Sequence, residues 1–302
     1  YKLLSLWVRK SLPLLVGVLA FTLAPIFVFR VFAHCSLSAH WIILAGLYLF
    51  FRRDLPVRMK SGYWAAVCGI STFIHPYLTV ILAIVFLGDV FNRYMRKEEK
   101  KIILLRDSGV TVFAIAIGAY LVGLFHPGVS TSFSGYGFYS MNANALVNPM
   151  GWSDIFLKDL KVATDGQYEG FNYLGIGMIL LGLVAVARRF VDQSGFRFGK
   201  PVLPGLIGSA SLSTILALSL NISFGGSILA FGVPEPLFSL MNIFRATGRF
   251  FWPVFYLIYL WIFLVLFAGR NTRTLDTRLV VISLLFVSLQ ISDTRSQYRN
   301  RH

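Results

Sequence analysis

Two arginines lie four residues apart in a polar segment that precedes an apolar run. Arg245 and Arg249 stand in the segment 244–253. Side chains four apart share one face of a helix, and guanidinium groups bind phosphate through paired hydrogen bonds. The spacing therefore predicts a site for an anionic partner. The alternative is that both side chains extend from the end of the following membrane helix toward water, with Trp252 at the membrane interface.

A second polar segment carries two carboxylates. Asp165 and Glu169 lie in the segment 164–173. Either carboxylate could act as a base or a metal ligand at the membrane boundary. Desolvation at such a boundary raises the pKa of a carboxylate. Thr164 and Gln167 have the spacing of a capping box, which instead predicts the start of a helix into the next apolar run. Both interpretations remain open from the sequence.

Histidines gather beside the apolar runs. His34, His40 and His75 all lie at the ends or breaks of such runs, and the topology derived below places them on one membrane face with His126. Arg30 precedes His34 and is a candidate for the same anion-binding role as the two other arginines. These side chains predict a shared polar site, although histidine is also common at membrane interfaces without any function.

A loop rich in glycine, tyrosine and asparagine follows the fourth histidine. The segment 135–149 contains Asn142 and Asn144 among aromatic residues. Aromatic rings stack on sugars, and amide side chains both donate and accept hydrogen bonds, so this composition suits a sugar or a lipid headgroup. The alternative is a packed interfacial loop in which asparagines form turns, as they commonly do before proline.

The composition places these residues in a bilayer rather than in water. The chain has 302 residues, of which 56% are apolar and only 14% are charged, against about 25% charged in soluble domains. Its mean hydropathy is +0.70. The net charge of +15 is concentrated in short segments between apolar runs, which indicates membrane topology and no nucleic-acid partner.

Several uncharged runs are long enough to predict membrane helices. A span needs about 20 apolar residues, and helices satisfy their own backbone groups in lipid. The runs are 11–29, 31–51, 61–88, 108–125, 171–187, 202–221, 250–269 and 279–292.

The distribution of lysine and arginine predicts the orientation of these helices. Basic residues cluster at 1–10, 52–60, 93–106, 188–200 and 270–278, and such segments stay in the cytoplasm. A single crossing by 61–88 would put the strongly basic 93–106 outside. We therefore expect two helices, 62–74 and 76–91, that fold back at His75, since Pro76 breaks the helix. A single kinked helix is the alternative.

These patterns predict an all-α fold: a polytopic transmembrane helical bundle of about eight or nine membrane helices. We expect one integral-membrane domain over 1–302, incomplete at both ends as a fragment of a longer protein, with its N-terminus cytoplasmic and its C-terminus exoplasmic. Long exoplasmic loops are expected at 126–171 and 222–249.

The common catalytic motifs are not found in the sequence. No P-loop, dinucleotide-binding fingerprint, nucleophile elbow or His-Glu-x-x-His metal motif occurs. Cys35 and Cys68 have no ligand-like neighbours and are expected to fill apolar space. No cofactor is evident, and no metal site is assigned.

In the same segments the chain resembles an uncharacterised bacterial polytopic membrane protein family, a domain of unknown function. That family in turn resembles the GT-C superfamily of glycosyltransferases. The matching pieces are 34–41, 75–77, 135–149, 166–175 and 245–249. The resemblance implies an outward-facing site in the bacterial inner membrane that takes a sugar from a polyprenyl-phosphate donor, and it allows a divalent metal. GT-C enzymes place a catalytic Asp in the first outer loop, and no residue of this chain matches it.

The expected function is therefore a membrane glycosyltransferase-like activity in envelope polysaccharide or glycoconjugate assembly. The alternatives are a transporter or flippase of lipid-linked glycans, and a non-catalytic membrane assembly factor. Whether the chain is an enzyme stays open, and no catalytic residue is assigned. The expected substrate-binding residues are Arg245, Arg249, His34, His40, His75, Asn142, Asn144 and Glu169.

Overall fold

The computed structural model describes residues 1–126, 135–191, 203–268 and 277–299. The remaining residues lie outside the described part. They include 127–134 of the predicted 126–171 loop, most of two predicted basic segments (188–200 and 270–278), and His302. The helices are α1 (Ser11–Thr22), α2 (Pro25–Ala33), α3 (His40–Phe51), α4 (Val57–Ile74), α5 (Pro76–Met95), α6 (Lys101–Leu121), α7 (Ile176–Val191), α8 (Leu203–Leu218), α9 (Glu235–Asn242), α10 (Trp252–Phe267), α11 (Thr277–Asp293) and α12 (Arg295–Arg299).

The fold is mostly helical, as predicted, but it also contains a short antiparallel strand pair. Strand β1 (Asn221–Phe224) pairs with β2 (Ser227–Ala230) in the polar segment after α8. The purely helical expectation is wrong here. Gly225 has a φ of +57°, and glycine in this conformation allows the two-residue connection that closes a hairpin.

Three described helices are long and apolar enough to cross a membrane. They are Pro76–Met95, Lys101–Leu121 and Thr247–Phe267, the last of which joins a 3₁₀ turn (Thr247–Phe251) to α10. The bent pair Ser11–Thr22 and Pro25–Phe32 is a fourth if it counts as one span. These lengths are consistent with a membrane protein. The other predicted runs form helices that are too short to meet this criterion among the described residues, such as α8 with 16 residues.

The first apolar run is interrupted at Pro25. We expected one span over 11–29, but α1 and α2 meet at a 46° bend. Pro25 has no amide hydrogen to continue the ladder of α1. At the break itself, the Leu23 carbonyl accepts a hydrogen bond from the Gln290 side chain at 3.2 Å, so α11 stabilises the break.

The run 61–88 forms two antiparallel helices that fold back at His75. The Lys60 ammonium lies 2.7 Å from Asp89, and the Ser71 hydroxyl donates to Thr79 at 3.0 Å. These contacts pair the two ends of α4 with the two ends of α5. The alternative of a single kinked helix is therefore wrong, and the observed helices extend slightly beyond the predicted 62–74 and 76–91.

Helix α10 forms the centre of the bundle and α6 lies at its edge. Phe255, Tyr256, Tyr259 and Phe263 are fully buried along α10. In α6, by contrast, only 28% of the residues in its apolar 18-residue stretch are buried. Apolar surface left open on this scale is typical of a helix that contacts lipid or another protein.

The predicted capping box at Thr164 does not form. Thr164 makes no side-chain cap, and its hydroxyl donates to the Phe138 carbonyl at 2.6 Å. Residues Asp165–Gly170 form a 3₁₀-helix, and α7 begins only at Ile176. The tertiary partner therefore outcompetes the local cap, and this short helix carries Glu169.

Candidate functional site

A buried carboxylate joins two arginines from distant parts of the chain. Glu169 Oε2 lies 2.8 Å from Arg30 Nη1, and its Oε1 lies 2.8 Å from Arg249 Nη2. Arg30 Nη2 also donates to the Glu169 main-chain carbonyl at 3.1 Å. The Glu169 side chain is 6% exposed. Because each oxygen faces a cation, this triad is a charge-paired cluster that fixes two guanidinium groups in place.

The triad exists because two glycines let the backbones touch. Gly170 follows Glu169, and Gly248 precedes Arg249. A Cβ added to Gly248 would lie 2.3 Å from the Gly170 Cα atom, so any larger residue would separate the two segments. The Asn172 amide bridges them, donating to the carbonyls of Gly170 at 2.9 Å and Gly248 at 3.2 Å.

The arginines keep Glu169 ionised. Burial alone would raise its pKa, but the hydrogen bonds and positive charges of Arg249 and Arg30 outweigh burial and lower the pKa below its ordinary value. A carboxylate with a lowered pKa and both oxygens engaged is a weak proton acceptor. Glu169 is therefore suited to position the arginines, and less suited to the base role that the sequence left open.

A cavity of about 300 Å³ opens beside the triad. Five of the expected site residues line it: His34, His75, Glu169, Arg245 and Arg249. Three tyrosines also line it: Tyr77, Tyr139 and Tyr168. The cavity has an excess of positive charge, because two arginines and one carboxylate line it and that carboxylate also contacts Arg30.

Aromatic rings orient both cavity arginines. The Arg249 guanidinium lies 4.7 Å from the centre of the Tyr77 ring, and that of Arg245 lies 5.3 Å from the Tyr139 ring. The Tyr77 hydroxyl also accepts the Ala246 amide hydrogen at 2.8 Å. Stacking on rings favours a fixed guanidinium plane, which lowers the entropy cost of binding an anion.

The two cavity histidines have different environments. His34 Nε2 lies 4.0 Å from Glu169, and its side chain is 51% exposed. His75 is more enclosed, and its Nδ1 accepts the Tyr77 amide hydrogen at 3.2 Å. Burial and then the positive charge of Arg249 lower the His75 pKa to about 4. At neutral pH the ring therefore carries its proton on Nε2 and can donate it to a ligand oxygen.

Replacing His75 with asparagine should flatten the pH dependence of stability. The His75 pKa is about 4 in the folded protein and about 6.5 in an unfolded chain. The unfolded state thus binds more protons, and stability falls as pH decreases between these values. Asparagine can still cap α5 but does not titrate. The measurement is the thermal midpoint in detergent from pH 8 to pH 4.

The matched control for that measurement is His126→Asn at an exposed histidine. Its curve should follow the wild type. A His75→Asn curve with the wild-type slope between pH 6.5 and pH 4 would show that His75 titrates normally.

His40 lies away from this cavity. It is 1% exposed, its Nδ1 is 2.8 Å from the Tyr256 hydroxyl, and its ring centre is 4.4 Å from that of Trp252. It lines a separate, mainly apolar cavity of about 390 Å³. The structure therefore separates His40 from the other expected site residues.

The two asparagines organise the loop instead of lining the cavity. The Asn142 side chain donates to Gln167 at 2.9 Å and to the Gly225 carbonyl at 2.9 Å. The Asn144 side chain donates to the Lys161 carbonyl at 3.1 Å. Both are buried, as expected from the alternative of a packed loop whose amides serve the fold.

Within the described residues, no group of three or more His, Cys, Asp or Glu side chains could hold a metal ion. Asp165, the second carboxylate of the 164–173 segment, is exposed.

Sequence reasoning missed the partner of Glu169 and two cavity tyrosines. Arg30 was noted as an anion-binding candidate, but it is 1% exposed and paired with Glu169. A charged residue inside an otherwise apolar segment needs a buried partner, which was the available signal. Tyr77 and Tyr168 have no spacing or motif that marks them in the sequence, although each lies within two residues of a candidate site residue, His75 or Glu169.

Comparisons with known proteins give a family but no function. A family model described as "Domain of unknown function (DUF6311)" matches residues 1–295. No curated protein and no solved structure matches the chain.

Proposed function

The chain belongs to the DUF6311 family, and from the geometry of its site we propose that it binds the phosphate of a polyprenyl-phosphate-linked sugar. In this proposal it is a GT-C-like glycosyltransferase with about eight or nine membrane helices. It acts at the exoplasmic face of the bacterial inner membrane in envelope polysaccharide or glycoconjugate assembly, with its N-terminus cytoplasmic and its C-terminus exoplasmic.

The observation that carries the proposal is the cationic cavity. Arg245 and Arg249 line it together, and Glu169 and two tyrosine rings hold their guanidinium groups. A phosphate needs several fixed donors with excess positive charge. Tyr168 adds an aromatic face of the kind on which sugars stack.

Such a cavity would favour transfer by stabilising the leaving group. When the bond between sugar C1 and the phosphate oxygen breaks, the lipid phosphate gains negative charge. Arginines held in position before the reaction stabilise that charge without reorganising. The acceptor hydroxyl forms the new bond to C1 and loses its proton, and no residue is assigned as the base that receives it.

Replacing Arg245 with alanine should reduce sugar transfer by about 100-fold, a loss typical when one preorganised donor is removed. Arg245 is preferred to Arg249 because it is outside the triad and its loss leaves Glu169 paired. The assay uses full-length protein with polyprenyl-linked sugars and measures transfer and donor binding separately. The double variant Arg245→Ala, Arg249→Ala should abolish both.

Arg58→Ala is the matched control, because Arg58 is exposed on α4 and does not line the cavity. It should retain wild-type transfer. Full transfer by the double variant would remove the proposed phosphate site.

One observation favours a second candidate, a non-catalytic assembly factor that holds a lipid-linked sugar. Among the described residues, Glu169 is the carboxylate that lines the cavity, and both of its oxygens contact arginine. A site that binds phosphate without a free base would bind the donor but not transfer the sugar. Donor binding that depends on Arg245, without transfer or vesicle flux, would support this candidate.

A further inference from the structure

A second polar cavity lies at the other end of the α4–α5 hairpin. Its volume is about 280 Å³. Lys60, at the start of α4, lines it, whereas the first cavity contains His75 at the end of α4. At about 1.5 Å per helical residue, the two cavities are on the order of 20 Å apart. The charged residues that line the second cavity are Arg53, Lys60, Asp89, Arg93, Arg96, Glu98 and Glu99.

Most of these charges form buried pairs at the base of the cavity. Lys60 contacts Asp89 at 2.7 Å, and Arg93 contacts Glu99 at 3.1 Å and Asp107 at 2.9 Å. Such pairs have little freedom to rearrange, because removing either partner would leave an isolated buried charge. They fix the base of the cavity.

The mouth of the cavity differs, because a single exposed carboxylate bridges two arginines. Glu98 Oε1 lies 3.3 Å from Arg53 and also contacts Arg96. The Glu98 side chain is 38% exposed. Lys97, the preceding residue, has a φ of +52°, a conformation that non-glycine residues seldom adopt. This turn directs the chain so that Glu98 lies over the basic mouth.

Two nitrogens of Arg93 at the base, Nε and Nη2, have no hydrogen-bond partner among the described residues, although the side chain is only 4% exposed. The Nε atom lies 3.5 Å from an Asp89 carboxylate oxygen, and Nη2 is available to a further acceptor. A buried donor without an acceptor costs free energy. An acceptor oxygen inside the cavity would remove that cost.

We propose that this cavity is a second anion site, and that Glu98 occupies its mouth as a tethered carboxylate that a phosphate group displaces. With Glu98 displaced, the lining retains four cations and two carboxylates. Its excess of two positive charges matches a phosphate monoester, which carries about −1.5 to −2 at neutral pH. The ligand is inorganic phosphate or the phosphomonoester headgroup of a lipid. This site is independent of the function proposed above.

The test measures phosphate binding to the purified full chain. Radiolabelled inorganic phosphate is titrated in neutral detergent without phosphate buffer, and nanodiscs containing phosphatidic acid are compared with nanodiscs of phosphatidylcholine alone. Glu98→Gln removes the competing anion and should tighten binding about tenfold, since a tethered ligand has a high effective concentration. Arg53→Gln, at a half-exposed side chain, should weaken binding by about tenfold.

Asp54→Asn is the matched control. It removes a negative charge from the same end of the hairpin, but Asp54 is exposed, is paired with Arg52 and does not line the cavity. Binding of phosphate but not phosphatidic acid assigns a soluble ligand, and the reverse assigns a lipid headgroup. Equal affinities for Glu98→Gln, Asp54→Asn and the wild type would overturn the proposal, as would no binding of either probe.

Arg245→Ala separates this site from the first cavity. Phosphate binding at the second cavity should be unchanged in that variant, whatever happens to its sugar transfer. A loss of phosphate binding in Arg245→Ala would place the bound phosphate in the first cavity and overturn the inference.

Discussion

Replacing Glu169 with glutamine should lower the free energy of unfolding by about 3–5 kcal/mol, the usual cost of removing one partner from a buried ion pair. Glutamine has nearly the same shape but no charge. Arg30, which is 1% exposed, would then remain buried as an uncompensated cation, and Arg249 would lose its main anchor. The measurement is chemical or thermal unfolding of the purified protein in detergent.

Asp165→Asn provides the comparison for this prediction. It removes the same charge in the same short helix, but from an exposed side chain, so its effect should stay within about 0.5 kcal/mol. If Glu169→Gln were equally mild, the triad would not be a stabilising unit. Anion binding should also weaken in Glu169→Gln, because Arg249 is no longer held in position by the carboxylate.

Replacing Gly248 with alanine should destabilise the protein by about 3 kcal/mol, at the upper end for overpacking. The new Cβ would lie 2.3 Å from the Gly170 Cα atom and 2.9 Å from its nitrogen. Backbone atoms cannot rotate away, so the two segments must separate. Glu169 and Arg249 are the adjacent residues, and their 2.8 Å contact should lengthen. Unfolding and donor binding are measured on the same preparation.

Gly232→Ala controls for the general effect of a methyl group in this part of the chain. No atom lies within 4 Å of a Cβ placed there, so stability should be unchanged or slightly higher. A Gly248→Ala protein with wild-type stability and binding would mean that the close approach of the two backbones does not maintain the site.

Both predictions describe one physical arrangement. The cavity depends on two irregular segments that bring charged side chains together, and each segment has glycine where the other approaches. Tyr77, at the start of α5, adds a ring against Arg249. The helices supply a rigid frame, while the charge chemistry sits on the short connections that the frame holds.

Local patterns in the sequence were enough to predict several features. Apolar runs predicted a mostly helical chain with helices of membrane-spanning length. Pro76 and the basic segment 93–106 together predicted the fold-back at His75, and the structure confirms it. These predictions succeed because both features depend on a single segment of the chain. Proline removes one specific backbone donor, and the ability to cross a bilayer depends on the apolar composition of about 20 consecutive residues.

The tertiary structure decided which polar residues share a site. Arg30 and Glu169 are 139 residues apart, and Glu169 and Arg249 are 80 apart. Residue spacing indicates which side chains share one helix face, but not which distant segments meet. His40 looked equivalent to His34 in sequence, yet it packs against Tyr256 and Trp252 instead. The side chains of Asn142 and Asn144 donate hydrogen bonds to backbone carbonyls that need partners, and therefore do not line the cavity.

The sequence by itself thus determined the helical character of the chain, its break at Pro76 and the presence of a cationic, imidazole-containing set of residues, but not the break at Pro25. Only the tertiary structure decided that Glu169 pairs with Arg30 and Arg249 and that Glu98 contacts Arg53 and Arg96 at a second cavity. The physical reason is that a helix is defined by interactions within a few residues, whereas a buried charge is defined by whichever opposite charge the completed fold brings to it.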